Sequence, residues 1–589
     1  MEKQVVRVRF APSPTGALHI GGVRTALYNY LWAKKHGGAF ILRIEDTDRS
    51  RYVEGAVDYI AESLKWLRIE ADECPEKGGK YGPYRQSERK AMYSQFAEQL
   101  IKEGKAYYAF DTAEQLDRAR TKVEQETQGK SKFKYDSSTR MTMLNSLSLE
   151  PDKVREYLAK GRYVVRFKLP DVPKTVIFGD LIRGRVTYST EEMDDKVLFK
   201  SDGWPTYHLA NVVDDYHMKI SHVIRGEEWL PSTPLHILLY EALGWSDARP
   251  QFAHLSLILK PAPDTYLTKQ HKTARAEQFL NVFLSKNPEL SKNKVQLNQA
   301  IGQLFQDVTA LMSRLNPKKK DKVHIVALKI FLKKAISGKL SKRDGDLLGL
   351  PVFPLDWHGD EPLRGFREWG FLPQAVVNFL ALLGWNPKSE QEIFSLDELV
   401  QAFDLDEVVR SGARFDYAKA KWFNQQYIMK ESNTQLAIWI APMVEQVSTE
   451  YLEAVVELLK QRVAFLPDFV EKGGYFFTSP DFQIVKAKEG KNLRKRVLNK
   501  WSAEKATVFT TLHEILSELD ANADLEKVID AFLEEKGLSK GEVMPMLRFA
   551  ISGTMGGPDL YKMMNLIGRD NSLDRIKAFI DFSNAETKQ

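Results

Sequence analysis

The first fifty residues place the strongest limit on the fold, because they read as a strand, a loop, a helix and a second strand. Residues 5–10 are rich in β-branched residues and alternate as a strand does. Two prolines within residues 11–16 end that strand, and apolar residues recur at helical spacing from His19 until Gly37. Residues 39–44 form the second strand. This order is the opening of a parallel α/β nucleotide-binding fold.

Length and composition bound the class of protein. With 589 residues the chain is too long for a single hydrophobic core, so we expect several domains. Apolar residues make up 43% and charged residues 28%, which is ordinary for a globular protein and excludes a disordered or fibrous one. The net charge of +6 is too small to indicate a polyanion-binding protein by itself.

Cysteine usage and hydropathy indicate the cellular setting. The single cysteine, Cys74, excludes an internal disulfide and any cysteine-based zinc cluster, and it suits a reducing compartment. The N-terminus has no charged-then-apolar signal pattern, and the longest core-like apolar run, residues 375–385, is far shorter than the ~18 residues of a membrane helix. We therefore expect a cytoplasmic protein with no membrane association.

The loop and helix start after the first strand carry the chemistry. Gly21 and Gly22 fall inside the first helical turn, where each costs about 1 kcal/mol of helix stability relative to alanine. They leave room for a base or ribose on the helix, and His19 at the helix N-terminus could donate a hydrogen bond to a phosphate. Taken alone, His19 also fits a surface histidine, and Gly21 and Gly22 also fit a tight packing contact.

Residues 12–22 (PSPTGALHIGG) resemble the first signature, HIGH, of class I aminoacyl-tRNA synthetases, with Gly22 in place of the last histidine. Together with residues 43–48 (RIEDTD), the segment is similar to the glutamate and glutamine branch of that class, in which this replacement is usual. The resemblance leaves one signature histidine, His19, for phosphate contact. It implies a Rossmann-like catalytic domain.

Residues 338–345 (GKLSKRDG) resemble the second class I signature, KMSKS, and follow the first signature in the order of the class. Adenylate formation at the α-phosphate expels pyrophosphate, and positioned lysines with Mg²⁺ stabilise the charge that builds up. Flanking glycines let such a loop close and reopen. A lysine-rich turn alone is usually a solvated surface, so the prediction depends on the pairing with residues 12–22.

The resemblance also implies which residues handle ATP. The predicted catalytic residues, which stabilise phosphate charge, are His19, Lys339 and Lys342. The predicted ATP-binding residues are Pro12, Thr15, Gly16, His19, Gly21, Gly22, Lys339, Ser341, Lys342 and Arg343. ATP would enter with Mg²⁺ as a substrate complex.

Residues 203–215 and 222–229 are similar to the substrate-pocket segments of glutamyl-tRNA synthetases. Glutamate presents two carboxylates and one ammonium, so a pocket for it needs guanidinium groups and an anion. By the resemblance, the predicted glutamate-binding residues are Arg9, Ser13, Glu45, Tyr207, Asn211 and Arg225.

Within that set, Arg9 and Arg225 are assigned to carboxylate recognition, because guanidinium binds carboxylate through two nitrogens. Glu45 is assigned to the ammonium, and the remaining residues supply neutral hydrogen bonds. Each residue taken singly has another interpretation. Arg9 also fits a strand residue paired with a surface acid, and Glu45 an exposed acidic turn. Tyr207 and Asn211 have the i,i+4 spacing of one face of a packed helix.

The sequence does not support a protein-bound metal. Four histidines, at positions 208, 217, 222 and 236, fall close together but form no His-Glu-x-x-His motif and have no cysteine partner. Some relatives carry a cysteine zinc site in the acceptor-binding insertion, whereas the corresponding region here, Ala106–Ala109, has no cysteine. We predict no protein-bound zinc.

By the resemblance, the fold class is an α/β N-terminal half followed by an all-α C-terminal half. The predicted domains are 1–84 (first half of the catalytic domain), 85–204 (acceptor-stem-binding insertion), 205–260 (second half of the catalytic domain), 261–336 (basic helical insertion), 337–430 (second signature and stem-contact domain) and 431–589 (helical anticodon-binding domain of two subdomains).

Residues 371–385 are predicted as one buried apolar helix. Seven Lys and Arg at 485–500 are either a phosphate-contacting strip or a solvated helix face.

Residues 261–336 have no counterpart in the family pattern, which joins residue 260 almost directly to Gly338. The segment holds 14 Lys and Arg against 5 Asp and Glu, so the remainder of the chain is slightly acidic. It reads as helices broken at Pro288 and Pro317. It is either an added RNA-contacting or partner-binding module or a solvated helical decoration.

The resemblance implies an enzyme that makes glutamyl-adenylate from L-glutamate and ATP and passes the glutamyl group to the 3′ end of tRNA(Glu). No side-chain nucleophile is needed, because binding and electrostatics suffice. Two alternatives stay open. One is a glutaminyl enzyme, which would carry β-barrels where this chain has helical periodicity. The other is a synthetase-like tRNA-binding protein without activity. We expect a monomer.

Overall fold

The computed structural model describes residues 5–261, 338–342, 344–345, 350–359, 362–445, 447–486, 491–520 and 523–587. The predicted insertion at 261–336 lies outside the described residues apart from Pro261, and Arg343 also lies outside them. The chain divides into two compact units, Met1–Glu368 with Pro373–Ala420 and Trp369–Leu372 with Lys421–Gln589.

The first unit contains strands and helices. Its strands are β1 (Arg7–Phe10), β2 (Ala39–Leu42), β3 (Ala106–Ala109), β4 (Val164–Phe167), β5 (Thr175–Asp180), β6 (Gly184–Ser189), β7 (Val197–Phe199), β8 (His222–Gly226), β9 (Gln251–Leu255), β10 (Ile258–Leu259), β11 (Trp357–His358), β12 (Pro362–Leu363) and β13 (Ala413–Arg414). Its helices are α1 (Ile20–Lys35), α2 (Ala56–Trp66), α3 (Lys90–Lys102), α4 (Ala113–Glu126), α5 (Pro151–Ala159), α6 (Tyr207–His217), α7 (Thr233–Ala242), α8 (Pro373–Ala381) and α9 (Leu396–Ala402). The next helix, α10 (Tyr417–Lys430), spans the boundary in sequence.

The second unit has helices and no strand among its described residues. Its helices are α11 (Asn433–Ile440), α12 (Thr449–Leu459), α13 (Asp468–Glu471), α14 (Lys491–Arg496), α15 (Ala503–Ser517), α16 (Leu525–Glu535), α17 (Lys540–Ser552), α18 (Leu560–Ile567) and α19 (Arg569–Thr587). Leu512, Phe549 and Phe579 are fully buried in its core. An α/β first unit and a helical second unit agree with the predicted fold class.

The predicted strand–loop–helix–strand opening is present. β1 and β2 pair in parallel, with Arg7 opposite Ala39 and Phe10 opposite Leu42. The crossover between them is α1, and Gly38 follows it where a β-carbon would meet the backbone of Val6 at 2.1 Å. Only glycine fits so close an approach, so glycine at this position lets the second strand begin beside Val6, while Gly37, with a φ of +61°, turns the chain out of the helix.

A four-stranded sheet of order β6-β5-β9-β8 carries the middle segments. β8 and β9 pair in parallel with Arg225 opposite His254, and β5 joins β9 in parallel at Asp180 and Phe252. β5 and β6 come from the predicted acceptor-stem insertion, 85–204, yet they share a sheet with the strand of Arg225. One sheet therefore contains strands from both sides of the predicted domain boundary at residue 204.

The rest of residues 85–204 includes a separate antiparallel sheet of order β3-β4-β7. Tyr107, Ala109 and Tyr135 form a small core against it. Tyr107 donates its hydroxyl to Asp195 at 2.6 Å, and both side chains are buried. These residues give the region a packing centre of its own.

The apolar pattern of residues 371–385 predicts one helix over the whole segment, but the helix in it, α8, is shorter. It begins at Pro373, where the missing N–H and fixed φ suit the first helical position. Gly384 has a φ of +107°, which turns the chain out of helical geometry after α8. Residues 375–381 are all buried, as predicted.

Candidate active site

A cavity of about 640 Å³ lies in the first unit, where the segments after β1, β2 and β8 meet the start of α1. Ligands bind at this edge of parallel α/β sheets. Most of the predicted site residues line it: Arg9, Pro12, Ser13, Thr15, His19, Gly21, Gly22, Glu45, Tyr207, Asn211, Arg225 and Lys339. The cavity thus brings together residues from both signatures and from the middle segments.

Gly16 and Lys342 connect the two signatures, although neither lines the cavity. Gly16 has a φ of +113°, and a β-carbon placed there would lie 3.9 Å from Lys342 Nζ. Side chains rarely adopt this backbone conformation, so the turn requires glycine. Partial burial lowers the pKa of Lys342 from its ordinary value. Its ammonium is therefore held beside the first signature loop.

Ser341 is not among the residues that line the cavity, and its contacts order the second signature. Its N–H and its hydroxyl both donate to Asp344 Oδ2 at 2.7 Å. The other oxygen of Asp344 lies 2.9 Å from Lys260 Nζ. Leu340 N donates to Ile258 O at 2.8 Å, which anchors the segment to β10.

Lys339 lines the cavity and pairs with Glu228. Its Nζ lies 2.9 Å from Glu228 Oε1, and the two side chains are 52% and 43% exposed. A pair this exposed contributes little free energy, so the lysine can exchange the carboxylate for a phosphate at small cost.

His19 caps α1 and lines the cavity. Its Nδ1 accepts the N–H of Gly21 at 3.1 Å, which places the proton of the neutral ring on Nε2. Nε2 is buried and has no hydrogen-bond partner among the described residues. Desolvation, followed by the charges of Lys342 and Lys339, lowers the pKa of His19 to about 4. At neutral pH the ring therefore offers one N–H donor and no charge.

Arg9 and Arg43 share one buried carboxylate, that of Asp215. Arg9 donates Nε to Oδ1 at 3.0 Å and Nη2 to Oδ2 at 3.2 Å, while Arg43 donates Nη1 to Oδ1 at 2.7 Å. Burial alone would raise the pKa of Asp215, but the two guanidinium groups hold it below its ordinary value. Arg9 thus uses one edge of its guanidinium on the protein, and its Nη1 has no partner among the described residues.

Glu45 and Asn211 complete this network at the cavity wall. Glu45 Oε1 accepts from Arg43 Nη2 at 3.1 Å. The amide of Asn211 fits best with its nitrogen donating to Asp215 Oδ2 at 3.2 Å and its oxygen accepting from Arg43 Nη2 at 3.0 Å. Burial raises the pKa of Glu45, while the charges of Arg43 and Arg9 act against that rise. Its second oxygen has no partner among the described residues.

Asp214, next in sequence to Asp215, accepts further hydrogen bonds beside this network. It accepts from Arg89 Nε at 2.6 Å, Gln86 Nε2 at 2.8 Å and the hydroxyl of Tyr93 at 2.9 Å. Arg43 Nε lies 3.8 Å away. Three arginines and three carboxylates therefore balance in charge within a buried cluster: Arg9, Arg43, Arg89, Glu45, Asp214 and Asp215.

Arg225 is fixed on several sides. It donates Nη1 to the Tyr207 hydroxyl at 2.7 Å, Nη2 to Thr233 Oγ1 at 2.9 Å and to Trp229 O at 3.2 Å, and Nε to His254 Nε2 at 3.1 Å. One N–H, on Nη1, is left for a ligand. A two-nitrogen grip on a carboxylate at Arg225 would therefore require one of these bonds to open.

Sequence reasoning missed several residues that hold the site. Arg43 and Asp215 lie inside the recognised motifs, and the i,i+4 spacing of Asn211 and Asp215 on a helix is a usable signal. Asp180 and His254 give no such signal, because they come from different strands and meet only in the folded sheet.

Among the described residues, no group of three or more His, Cys, Asp and Glu side chains is arranged to bind a metal ion. In the same part of the chain, no helix combines the length and apolar character needed to cross a bilayer.

Comparison with protein-family models gives two matches. Residues 5–297 and 309–422 match the model described as tRNA synthetases class I (E and Q), catalytic domain. Residues 431–580 match an anticodon-binding domain model. The interruption covers only 298–308, so the family model matches most of the segment expected to have no counterpart in the family, residues 261–336.

Similar proteins span nearly the whole chain. A glutamate–tRNA ligase of Phocaeicola vulgatus is 43% identical over 99% of both chains, and one of Christiangramia forsetii is 44% identical over 98% of this chain and 99% of its own. Among solved structures, a glutamate tRNA ligase from Elizabethkingia meningosepticum in complex with its amino acid has a TM-score of 0.79 and 41% identity, covering 98% of this chain and 99% of that one.

Proposed function

The chain belongs to the glutamate–tRNA ligase family of class I tRNA synthetases, and we propose that it ligates L-glutamate to the 3′ end of tRNA(Glu). The reaction runs through a glutamyl-adenylate and releases pyrophosphate and then AMP. The contacts of one cavity support this proposal, since it combines donors for phosphate with a charge network suited to an amino acid.

The phosphate end of the cavity belongs to the two signatures. His19 lines the cavity and has a neutral N–H donor at Nε2, because its Nδ1 accepts the N–H of Gly21. Lys342 lies beside Gly16, and Lys339 is held by an exposed carboxylate that a phosphate can replace. We propose that these three residues stabilise the charge that develops as pyrophosphate leaves. ATP enters as its Mg²⁺ complex.

The amino-acid end belongs to the buried charge network. Arg9 keeps a free Nη1 edge toward the cavity, which suits a carboxylate, because Asp215 fixes the opposite edge. The free oxygen of Glu45 suits the ammonium of glutamate. Arg225 and Tyr207 supply the N–H and hydroxyl for the second carboxylate, and Ser13 and Asn211 complete the polar wall. Fixed donors of this kind reject an uncharged analogue without a separate editing site.

The remaining regions are assigned to tRNA. We propose that residues 85–204 bind the acceptor stem, that 337–430 contact the stem and that 431–589 read the anticodon, which the family-model match at 431–580 supports. The 2′-hydroxyl of the terminal adenosine then attacks the activated carbonyl, with no side-chain nucleophile. We also propose a cytoplasmic location, in keeping with one buried cysteine, and a monomeric state.

The proposal is tested by ATP–pyrophosphate exchange in the presence of tRNA(Glu), with glutamate or glutamine as the amino acid. We expect exchange with glutamate and at least about 10²-fold less with glutamine, because an amide leaves an arginine donor unmatched. Equal or faster exchange with glutamine would place the chain with the glutaminyl enzymes, and no exchange with either would overturn the proposal.

A further inference from the structure

Three buried side chains lie in a row across neighbouring strands behind the amino-acid end of the cavity. Asp180 ends β5, His254 is on β9, and Arg225 is on β8, and these strands are adjacent in the order β5-β9-β8. These residues are 4%, 0% and 4% exposed, respectively. Arg225 lines the cavity, whereas Asp180 and His254 do not. His254 contacts a cavity-lining residue through its hydrogen bond with Arg225.

The hydrogen bonds along the row fix where the proton of His254 lies. Asp180 Oδ2 is 2.6 Å from His254 Nδ1, and Asp180 Oδ1 accepts the backbone N–H groups of Ile182 and Arg183 at 3.0 and 2.8 Å. Burial alone would raise the pKa of Asp180, but these bonds hold it below its ordinary value. Burial lowers the pKa of His254. A neutral ring beside an ionised carboxylate carries its proton on Nδ1.

The lone pair of His254 Nε2 is then free to accept. Arg225 Nε lies 3.1 Å from it and Thr233 Oγ1 lies 3.2 Å from it, and both can donate. The other histidine tautomer would turn an N–H toward the N–H of Arg225, which is repulsive. Asp180 therefore selects the tautomer that Arg225 needs.

We propose that His254, oriented by Asp180, is a positioning residue that holds the guanidinium of Arg225 at the angle required to bind glutamate. The proposal rests on the function assigned above. Arg225 has one N–H left for a ligand, so rotation of its guanidinium by a small angle misplaces that donor and the Tyr207 hydroxyl together. A site that binds through a fixed donor loses affinity when the support of that donor is removed.

Two near-isosteric variants separate the two hydrogen bonds of the ring. His254→Gln places an amide oxygen near the position of Nε2, so Arg225 keeps an acceptor. His254→Asn keeps an amide N–H for Asp180 near the position of Nδ1, but it leaves Arg225 Nε without a partner. We expect His254→Asn to raise the KM for glutamate about 10-fold or more and His254→Gln to raise it less than about 3-fold. The KM for ATP should stay within about 2-fold in both.

The measurement is tRNA-dependent ATP–pyrophosphate exchange of the full chain, with glutamate and ATP varied separately. Glutamate-dependent exchange by the wild-type chain checks the assigned function first, so failure there is distinct from failure of the positioning role. Equal glutamate KM values for His254→Asn and His254→Gln would overturn the proposal, and so would parallel rises in the KM values for glutamate and ATP.

Asp180→Asn gives a second test should His254→Asn fail to fold. Its amide N–H would face His254 Nδ1 and favour the tautomer with the proton on Nε2. We expect the KM for glutamate to rise about 10-fold with an unchanged KM for ATP. A KM for glutamate within about 2-fold of wild type in this variant would contradict the role of Asp180.

Discussion

Arg9 donates to both carboxylate oxygens of Asp215, at 3.0 Å from Nε and 3.2 Å from Nη2, and the two residues are only 3% and 2% exposed. Arg9, which is expected to bind a substrate carboxylate, is thus already bound to a carboxylate of the protein. The two bonds to Asp215 fix the orientation of the guanidinium. The direction in which Nη1 points is therefore fixed as well. Preorganisation of this kind lowers the entropy cost of binding a ligand.

Asp215→Asn should destabilise the first unit strongly. The change keeps the shape of the side chain but leaves one positive charge of Arg9 and Arg43 unbalanced in a buried cluster. Breaking a buried ion pair from one side costs about 3–5 kcal/mol. Urea unfolding monitored by circular dichroism measures the loss as a lower urea midpoint for the transition in which the first unit unfolds.

Glu126→Gln is the matched control for that change. Glu126 pairs with Lys122 at 3.8 Å, and the two side chains are 61% and 73% exposed. We expect no measurable shift, because exposed pairs of this kind contribute little. Equal stability of Asp215→Asn and Glu126→Gln would contradict charge balance within the buried cluster.

Lys342→Ala should remove most adenylate formation while tRNA affinity is kept. The lysine stabilises charge on the leaving pyrophosphate, and loss of one such donor lowers the rate by about 10²–10³-fold. Exchange kinetics give the rate, and filter binding gives the tRNA affinity. Lys65→Ala, a change at an exposed lysine on α2, serves as the control. A rate for Lys342→Ala as high as that of Lys65→Ala would show that the second signature has another role.

The His19 ring should stay neutral from pH 8 down to about pH 5, since desolvation and the nearby lysines lower its pKa to about 4. The unfolded chain takes up this proton near pH 6.5, so acidification from 6.5 to 4 removes stability. Spectra of ¹³C-labelled histidine, with the His19→Asn variant identifying the signal, give the pKa. A His19 signal that titrates near the ordinary histidine pKa would contradict the role of a neutral donor.

Gly16→Ala should cost about 1–3 kcal/mol, because the φ of +113° strains any residue with a β-carbon. The contact with Lys342 Nζ would be ordinary in distance, so the effect arises from the backbone. Gly179→Ala in β5 is the control, since a β-carbon placed there meets nothing within 4 Å and the φ of Gly179 is not positive. Urea unfolding compares the two. A Gly16→Ala midpoint no lower than that of Gly179→Ala would mean that the turn tolerates a side chain.

The opening of the fold is predictable from the sequence, because strand and helix periods and the two signatures are local in the chain. Which buried charges pair is not predictable in this way. Arg9 and Glu45 line the cavity, but Asp215 and Arg43 determine which of their atoms remain for a ligand. That choice depends on geometry between strands and a helix far apart in sequence.

The same limit explains why the sequence does not predict the position of His254 next to Arg225. Nothing in a single sequence indicates that its ring lies between Asp180 and Arg225, because the three residues come from three different strands. The helix predicted at 371–385 is too long for a related reason. Apolar periodicity continues past Ala381, but the positive φ of Gly384 ends the element.

Activation of glutamate in this cavity for transfer to tRNA is tested most directly by aminoacylation. The full chain is incubated with purified tRNA(Glu), labelled glutamate, ATP and Mg²⁺, and the label on the tRNA is measured. We predict that label becomes attached to tRNA(Glu) only when ATP is present, and that labelled glutamine in place of glutamate leaves the tRNA uncharged. Uncharged tRNA with glutamate, or charging with glutamine instead, would contradict the proposed function.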